Sequence, residues 1–512
     1  MGSFMNGSQP PLAGRREWIG LAVLALPCVL YSMDLTVLNL AVPRLSADLQ
    51  PSSAQLLWIV DIYGFLLAGS LITMGTVGDR IGRRRLLLIG AAAFGVASVM
   101  TAFAPTAGWL IAARAVLGIA AACLAPSTLS LIRNMFLDDR QRTFAIAVWV
   151  TSFSAGAAIG PVLGGVVLQY FWWGGVFLLA VPVMALLLVV GPLLLPEFRD
   201  SNAGRLDLLS ALQSLVAVLA VIFGLKQIAQ EGVGWPPALA IAIGVVVGGV
   251  FIRRQQRLPD PLLELRLFAN RTFCAGLAAN TLDFFVGFGI SLFIAQYLQV
   301  VLGLSPLHAG LWTVPWACGF IVGSLLTPRA VRHVRPAYVM ASGMALAALG
   351  FVVLTQIAGA SGLAILVLGS IVLSLGLAPM TTLATDTMMG SAPPERAGAA
   401  SAISETSSEL GGALGIAVLG SIGTAVYRGR IAAAMPEGVP HDAAEAARDT
   451  LGGAIVAAGR LPEQTGADLL DAARAAFAQS FDVVAAVSAA IALATAVVVA
   501  IVLRDAGSME NA

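Results

Sequence analysis

Apolar runs as long as a bilayer core is thick recur along this entire chain, and they constrain its fold more than any other feature. A span needs roughly 20 apolar residues. The sequence offers fourteen such stretches, at about 18–42, 55–77, 85–104, 109–132, 143–169, 173–195, 206–229, 235–252, 272–302, 307–328, 336–358, 362–386, 397–425 and 477–503. Composition agrees: 58% of the 512 residues are hydrophobic and 11% charged, whereas soluble domains carry about 25% charged residues. The expected fold is an all-α integral membrane protein of 14 transmembrane helices. They divide as two six-helix bundles, 1–200 and 256–512, plus two linking helices within 201–255. The 426–476 segment is alanine-rich, with interleaved charges and a break at Gly459–Pro462. It is expected as an extracellular helical hairpin, either a gate or a solvated linker.

Charge places the ends. Loops joining even to odd spans hold Arg80, Arg83, Arg84, Arg85, Arg133, Arg140, Arg205, Arg253, Arg329 and Arg396, while the first loop on the other face holds only Arg44. Clustered arginine marks the cytoplasmic side, so both termini are expected in the cytoplasm of a multi-pass plasma-membrane protein. Arg15 and Arg16 before an apolar run resemble a signal peptide, but that run is too long and contains Asp34, so it reads as a retained first span. A net charge of +1 leaves no electrostatic case for nucleic acid. The four cysteines and three histidines are scattered, without metal-ligand spacing. No metal, cofactor or enzymatic constellation is expected. An ATP-driven pump would need the lysine of a phosphate-binding loop, and Lys226, the only lysine, stands in the wrong context.

Four stretches carry more. Residues 75–85 read GTVGDRIGRRR, a turn whose arginines cannot enter lipid. Gly75, Gly78 and Gly82 keep it tight, and Asp79 beside Arg80 offers a pair that could form and break. The simpler reading is a topology anchor. Span 1 carries Met33-Asp34-Leu35-Thr36-Val37-Leu38-Asn39 through Pro43, and span 4 carries Arg114 with Gly118. Span 5 carries Gly156, Gly160, Pro161, Gly164 and Gly165. Gly156, Gly160 and Gly164 share one helical face, where another helix can approach closely, and Pro161 bends the helix. Such a face is either a hinge or simple packing.

The 75–85 stretch resembles the loop 2–3 signature of the major facilitator superfamily. Together, and in order along nearly the whole chain, the four stretches resemble its fourteen-span drug:proton antiporter subfamily, the quaternary-ammonium and multidrug exporters. The resemblance implies two rocking bundles with a substrate site between them. It implies a conformational gate at Gly75, Asp79, Arg80, Gly82, Arg83 and Arg84, and an export-associated motif in span 5.

Ionisable groups within lipid suggest function by default. Asp34, Asp61 and Arg114 are expected at similar depth, about 12 Å in for Asp34 from a rise of about 1.5 Å per residue. That invites an Asp34–Arg114 pair with Asp61 near enough to compete. Low dielectric favours a neutral carboxyl and a nearby guanidinium the charged form. Asp34 is thus expected as the proton-coupling acid and Arg114 as its regulator, unless the pair is static. Glu405 and Glu409 share a face of span 13, with Ser401, Ser404, Ser407 and Ser408 around them. They are expected to contact a cationic substrate, or else mark a hydrated helix end. Asp283 is a further candidate, and Asp386 an interface residue. Tyr31, Trp58, Tyr63, Trp149, Phe153, Phe284, Phe285, Phe288, Trp312 and Trp316 are aromatic candidates for cation–π contact, and of these Trp149, Phe284, Phe288, Trp312 and Trp316 are expected to line the site. Trp18, Trp109, Trp172, Trp173 and Trp235 are expected as interfacial anchors.

The function expected is proton-coupled secondary efflux of lipophilic, cationic drugs and biocides, driven by the proton gradient and needing no cofactor. One chain holds both bundles and should suffice as a monomer. The rival within the class is a dedicated exporter of one endogenous antibiotic, siderophore or lipid.

Overall fold

Lipid offers a backbone amide no partner, so a spanning segment must satisfy its own N–H and C=O groups as a helix. The computed structural model describes residues 12–503 apart from 52, 200–206, 233, 260, 264 and 358–361. Arg205 lies outside these residues, as do several helical side chains, those of Leu35, Asn39, Pro43 and Pro161 among them. Among the described residues there are fourteen helices long and apolar enough to cross a membrane, and no strand. In chain order the spans are Arg15–Leu49, Ser53–Ile81, Arg83–Ala102, Ala107–Met135, Asp139–Tyr170, Gly175–Leu194, Leu208–Glu231, Trp235–Gln255, Arg271–Val301, Pro306–Ala330, Pro336–Leu354, Gly362–Ser391, Ala397–Ala433 and Glu463–Val502. Side-chain oxygens of Thr106, Asp138, Asn270 and Ser305 accept from first-turn amides of spans 4, 5, 9 and 10, supplying partners that the helix itself lacks there.

Two joints differ from the expected ones. Residues 75–81 are the last turns of span 2, and the chain turns at Gly82 alone, with φ +111°, a conformation that suits glycine. The second arm of the expected 426–476 hairpin is the start of span 14 itself. At 40 residues, span 14 is about 60 Å long and projects well past a bilayer core. Between spans 13 and 14 stand two short helices, His441–Asp449 and Leu451–Ala458. They fold back on span 13 through Tyr427 Oη donating to the Ala447 carbonyl (2.9 Å) and an Arg428–Asp449 pair (3.3 Å).

Spans 1 and 5, 2 and 4, and 3 and 4 pack together, as do 11 and 12, 9 and 13, and 10 and 12. Spans 2 and 13, and spans 5 and 10, join these sets. Spans 7 and 8 pack on each other, and span 7 lies against both span 2 and span 13. Their joint is polar: Arg254 pairs with Asp207 at 2.7 Å. Bonds from Arg254 and Ser210 hold the Asp207 carboxyl at about 2, below its usual range, so the pair stays charged at any physiological pH. Trp173 is not an interfacial anchor. It is buried, with Nε1 donating to Asp48 Oδ2 at 2.8 Å.

The glycine face of span 5 meets span 1. A Cβ on Gly156 would lie 2.2 Å from the Val29 carbonyl oxygen, one on Gly160 2.3 Å from Thr36 Oγ1, and one on Gly164 2.9 Å from Val37 Cγ2. Gly165, the next residue, is half-buried. No side chain fits at Gly156 without parting the two helices. Gly156→Ala is therefore expected to cost about 1–3 kcal/mol, as overpacking does, and to lower the thermal midpoint of the purified protein. Gly108→Ala, where nothing lies within 4 Å, should leave the midpoint unchanged. Equal midpoints for the two variants would contradict this packing.

Candidate functional site

Arg114 is 1% exposed, and a guanidinium so enclosed must be met by acceptors. Its Nε donates to the Ile59 carbonyl at 2.6 Å, and its Nη1 stands 3.5 Å from Asp34 Oδ2. The rings of Tyr63 and Phe177 flank it at 5.3 and 5.7 Å. The carbonyl bond is short and the carboxylate contact long, so Arg114 is anchored while Asp34 is loosely held. Asp61 does not compete for this arginine. It pairs with Lys226 Nζ of span 7 at 2.6 Å, because depth sets its level but its helical face turns it to span 7.

One turn from Asp34, Tyr31 reaches across to span 13, where its Oη donates to Glu409 Oε1 at 3.2 Å. Phe153 meets Tyr31 edge-on at 5.4 Å, and Trp149 meets Phe153 at 4.7 Å. Glu405 lies one turn from Glu409 on the same helix. Beneath this strip, Asn280 Nδ2 donates to Ser407 and Ser408 hydroxyls at 2.9 and 2.8 Å, tying span 9 to span 13. Asp283 turns the other way, buried between spans 9 and 12 with Thr381 Oγ1 donating to it. Phe284 and Phe288 stack at 5.7 Å, and Trp316 stacks on Phe320 at 5.4 Å. Trp312 is exposed on span 10. Among the described residues no ring contact joins these four to Tyr31 or Phe153, whereas Trp149 is part of that row.

The end that carries residues 75–85 is shut by contacts between the two sets of spans. Asp79 pairs with Arg83 at 2.8 Å, four residues on, rather than with Arg80. The same carboxylate accepts from the first-turn amides Gly398 and Ala399 of span 13, each at 3.0 Å. A negative charge there also complements the helix dipole. Arg83 Nη2 donates to the Pro394 and Glu395 carbonyls. A Cβ on Gly75 would lie 2.5 Å from the Gly398 oxygen, so spans 2 and 13 touch backbone to backbone. Arg84 and Arg85 donate backbone amides to Glu197, within the first set.

Two further links were not singled out from sequence. Arg142 Nε donates to Asp386 Oδ1 at 2.9 Å with Thr143 Oγ1 on the other oxygen, and Arg133 Nε donates to the Met389 carbonyl at 2.8 Å. The signal available was an acid near the end of span 12 and an arginine near the start of span 5, on one side of the membrane. Lys226 was also legible, as a lone lysine inside an apolar run.

The sequence profile of the Major Facilitator Superfamily matches residues 24–416. The chain is 44% identical to the multidrug efflux pump LfrA of Mycolicibacterium smegmatis over 489 residues, 96% of this chain and 97% of the relative. It is 36% identical to the methyl viologen resistance protein SmvA of Salmonella typhimurium over 478 residues, covering 91% and 94%. It is 31% identical to the tetracenomycin C resistance and export protein of Streptomyces glaucescens over 504 residues, covering 97% and 93%. Among solved structures, the human organic anion transporter MFSD10 superposes with a TM-score of 0.59 at 16% identity, covering 94% of this chain and 100% of that one. A bacterial homologue of the lysosomal transporter Spinster superposes with 0.57 at 20% identity, covering 96% and 99%. At those identities the structures establish the fold alone.

Breaking one cross-link should loosen the shut end. Arg142→Gln leaves Asp386 with Thr143 alone, and a lost charged hydrogen bond costs about 1.5–3 kcal/mol. Deuterium uptake over 386–402 should rise severalfold in that variant, with 441–458 unchanged. Unchanged uptake over 386–402 would contradict a latch at this pair.

Proposed function

This chain belongs to the Major Facilitator Superfamily, and from that premise we propose that it exports lipophilic, cationic drugs and biocides across the plasma membrane in exchange for protons. The observation that carries the reading is the enclosed Asp34–Arg114 contact at 3.5 Å, on the same helix as Tyr31, which bonds Glu409. Asp34 and Tyr31 are three residues apart and so neighbours on one helix face. Whatever moves the proton site therefore moves the wall of the cargo site.

The end carrying residues 75–85 is cytoplasmic, as its arginine-rich loops support, and both termini lie there. A proton arriving from outside neutralises Asp34 and releases it from Arg114. The two halves, 1–200 and 256–512, then rock, and the Asp79, Arg83, Arg133 and Arg142 contacts part. The proton leaves to the cytoplasm, and a lipophilic cation enters against Glu405, Glu409 and the Tyr31–Phe153–Trp149 row, where carboxylate and aromatic faces both favour it. With Asp34 charged again the halves swing back, and the drug leaves outward. One chain supplies both halves, so a monomer suffices, with no cofactor and no nucleic-acid partner. The names of the relatives, a multidrug pump and a methyl viologen resistance protein, support organic cations as cargo. A second reading, export of one endogenous antibiotic, siderophore or lipid, is favoured by the tetracenomycin C exporter that matches along almost its whole length.

Cells expressing the chain should extrude preloaded ethidium, and a protonophore should stop them. Asp34→Asn should slow extrusion by at least about tenfold, a barrier change of about 1.4 kcal/mol. Extrusion that persists with the gradient collapsed would overturn proton coupling. Protection against one compound only, with no ethidium movement, would favour the second reading.

A further inference from the structure

The geometry points to Asp61 and Phe65, together with Lys226, as a cation subsite that the chain fills with its own tethered ammonium, and that thereby sets the charge of the cargo it accepts. This rests on the proposed export of organic cations. Lys226 Nζ lies 2.6 Å from Asp61 Oδ1 and 4.6 Å from the centre of the Phe65 ring. A carboxylate and an aromatic face around one ammonium are the two elements that recognise an organic cation. Trp58 and Phe223 extend the aromatic wall, with centroids 6.2 and 6.3 Å from that of Phe65.

Its placement separates this subsite from an ordinary surface ion pair. Lys226 is five residues from the end of span 7, where a lysine usually extends its stem toward the headgroups; here the ammonium is held on span 2 instead. Span 7 also lies against span 13, the helix of Glu409. One ammonium thus offsets Asp61 from a helix that borders both span 2 and span 13. The side chain is still 36% exposed, so the pair is not sealed within the protein. With the tether in place, the strip of Glu405 and Glu409 serves one cationic centre. With the tether neutral, Asp61 becomes a second anionic centre, and a dication gains a partner that a monocation cannot use.

The test is ligand binding by purified full-length protein, with tetraphenylphosphonium as monocation and methyl viologen as dication. Lys226→Gln should tighten methyl viologen at least fivefold relative to tetraphenylphosphonium. Lys226→Arg should keep the parental ratio, and Asp61→Asn/Lys226→Gln should erase the gain. Asp61→Asn alone, which leaves the ammonium uncompensated, should weaken methyl viologen relative to tetraphenylphosphonium; this arm decides the matter if Lys226→Gln does not fold. An unchanged ratio in Lys226→Gln, or the same gain in the double variant, would overturn the subsite. A parent that binds neither cation would overturn the cation-export reading itself, a separate failure.

Discussion

A guanidinium walled in by helices cannot be left without acceptors, and the organisation of the first half follows from how Arg114 is met. Uncompensated, a buried charge of this kind costs about 3–5 kcal/mol. The Ile59 carbonyl takes one donor at 2.6 Å, independently of Asp34. Two rings cover the planar faces. Asp34 is then the one partner able to let go without stranding the arginine. A fixed cation beside a releasable acid is what a proton-driven switch requires, and both belong to helices that pack on span 5 or on span 2 through glycine. Gly118 of the arginine helix lies against the Tyr63 backbone, where a Cβ would come within 2.4 Å of its oxygen. Small residues thus bring the charged ones to working distance.

The shut end obeys a different economy of contacts. Asp79 satisfies Arg83 of its own half and the opening amides of span 13 at once, so a single carboxylate serves as ion-pair partner and helix cap. Arg142 and Asp386 repeat the logic on spans 5 and 12. Each link joins a charged group of one half to a partner in the other.

Much of this was legible. Run length located the spans because lipid admits only helices, and Gly156, Gly160 and Gly164 announced close packing because no other residue can bring backbones so near. The Asp34–Arg114 contact followed from depth along two helices. Depth fixes level but not direction, and that is why Asp61, level with Arg114, was assigned to it although its face turns to Lys226. The same limit hid Asp283, which faces Thr381 rather than the strip of Glu405 and Glu409. Adjacency in sequence suggested Asp79 with Arg80, but 75–81 is helical, and on a helix the neighbour is Arg83, four residues on. The helical ends of spans 13 and 14 ran past the expected limits because hydropathy marks the lipid boundary and not the end of the helix. Tyr31 was one of ten aromatic candidates and nothing ranked it above the others, since its partner lies 378 residues away.

The account turns on Asp34 exchanging its proton against cargo. Protein purified in a weakly buffered detergent solution should release protons into the bulk when tetraphenylphosphonium is added, and Asp34→Asn should bind that cation while releasing none. Equal proton release from the parent and Asp34→Asn would contradict the account.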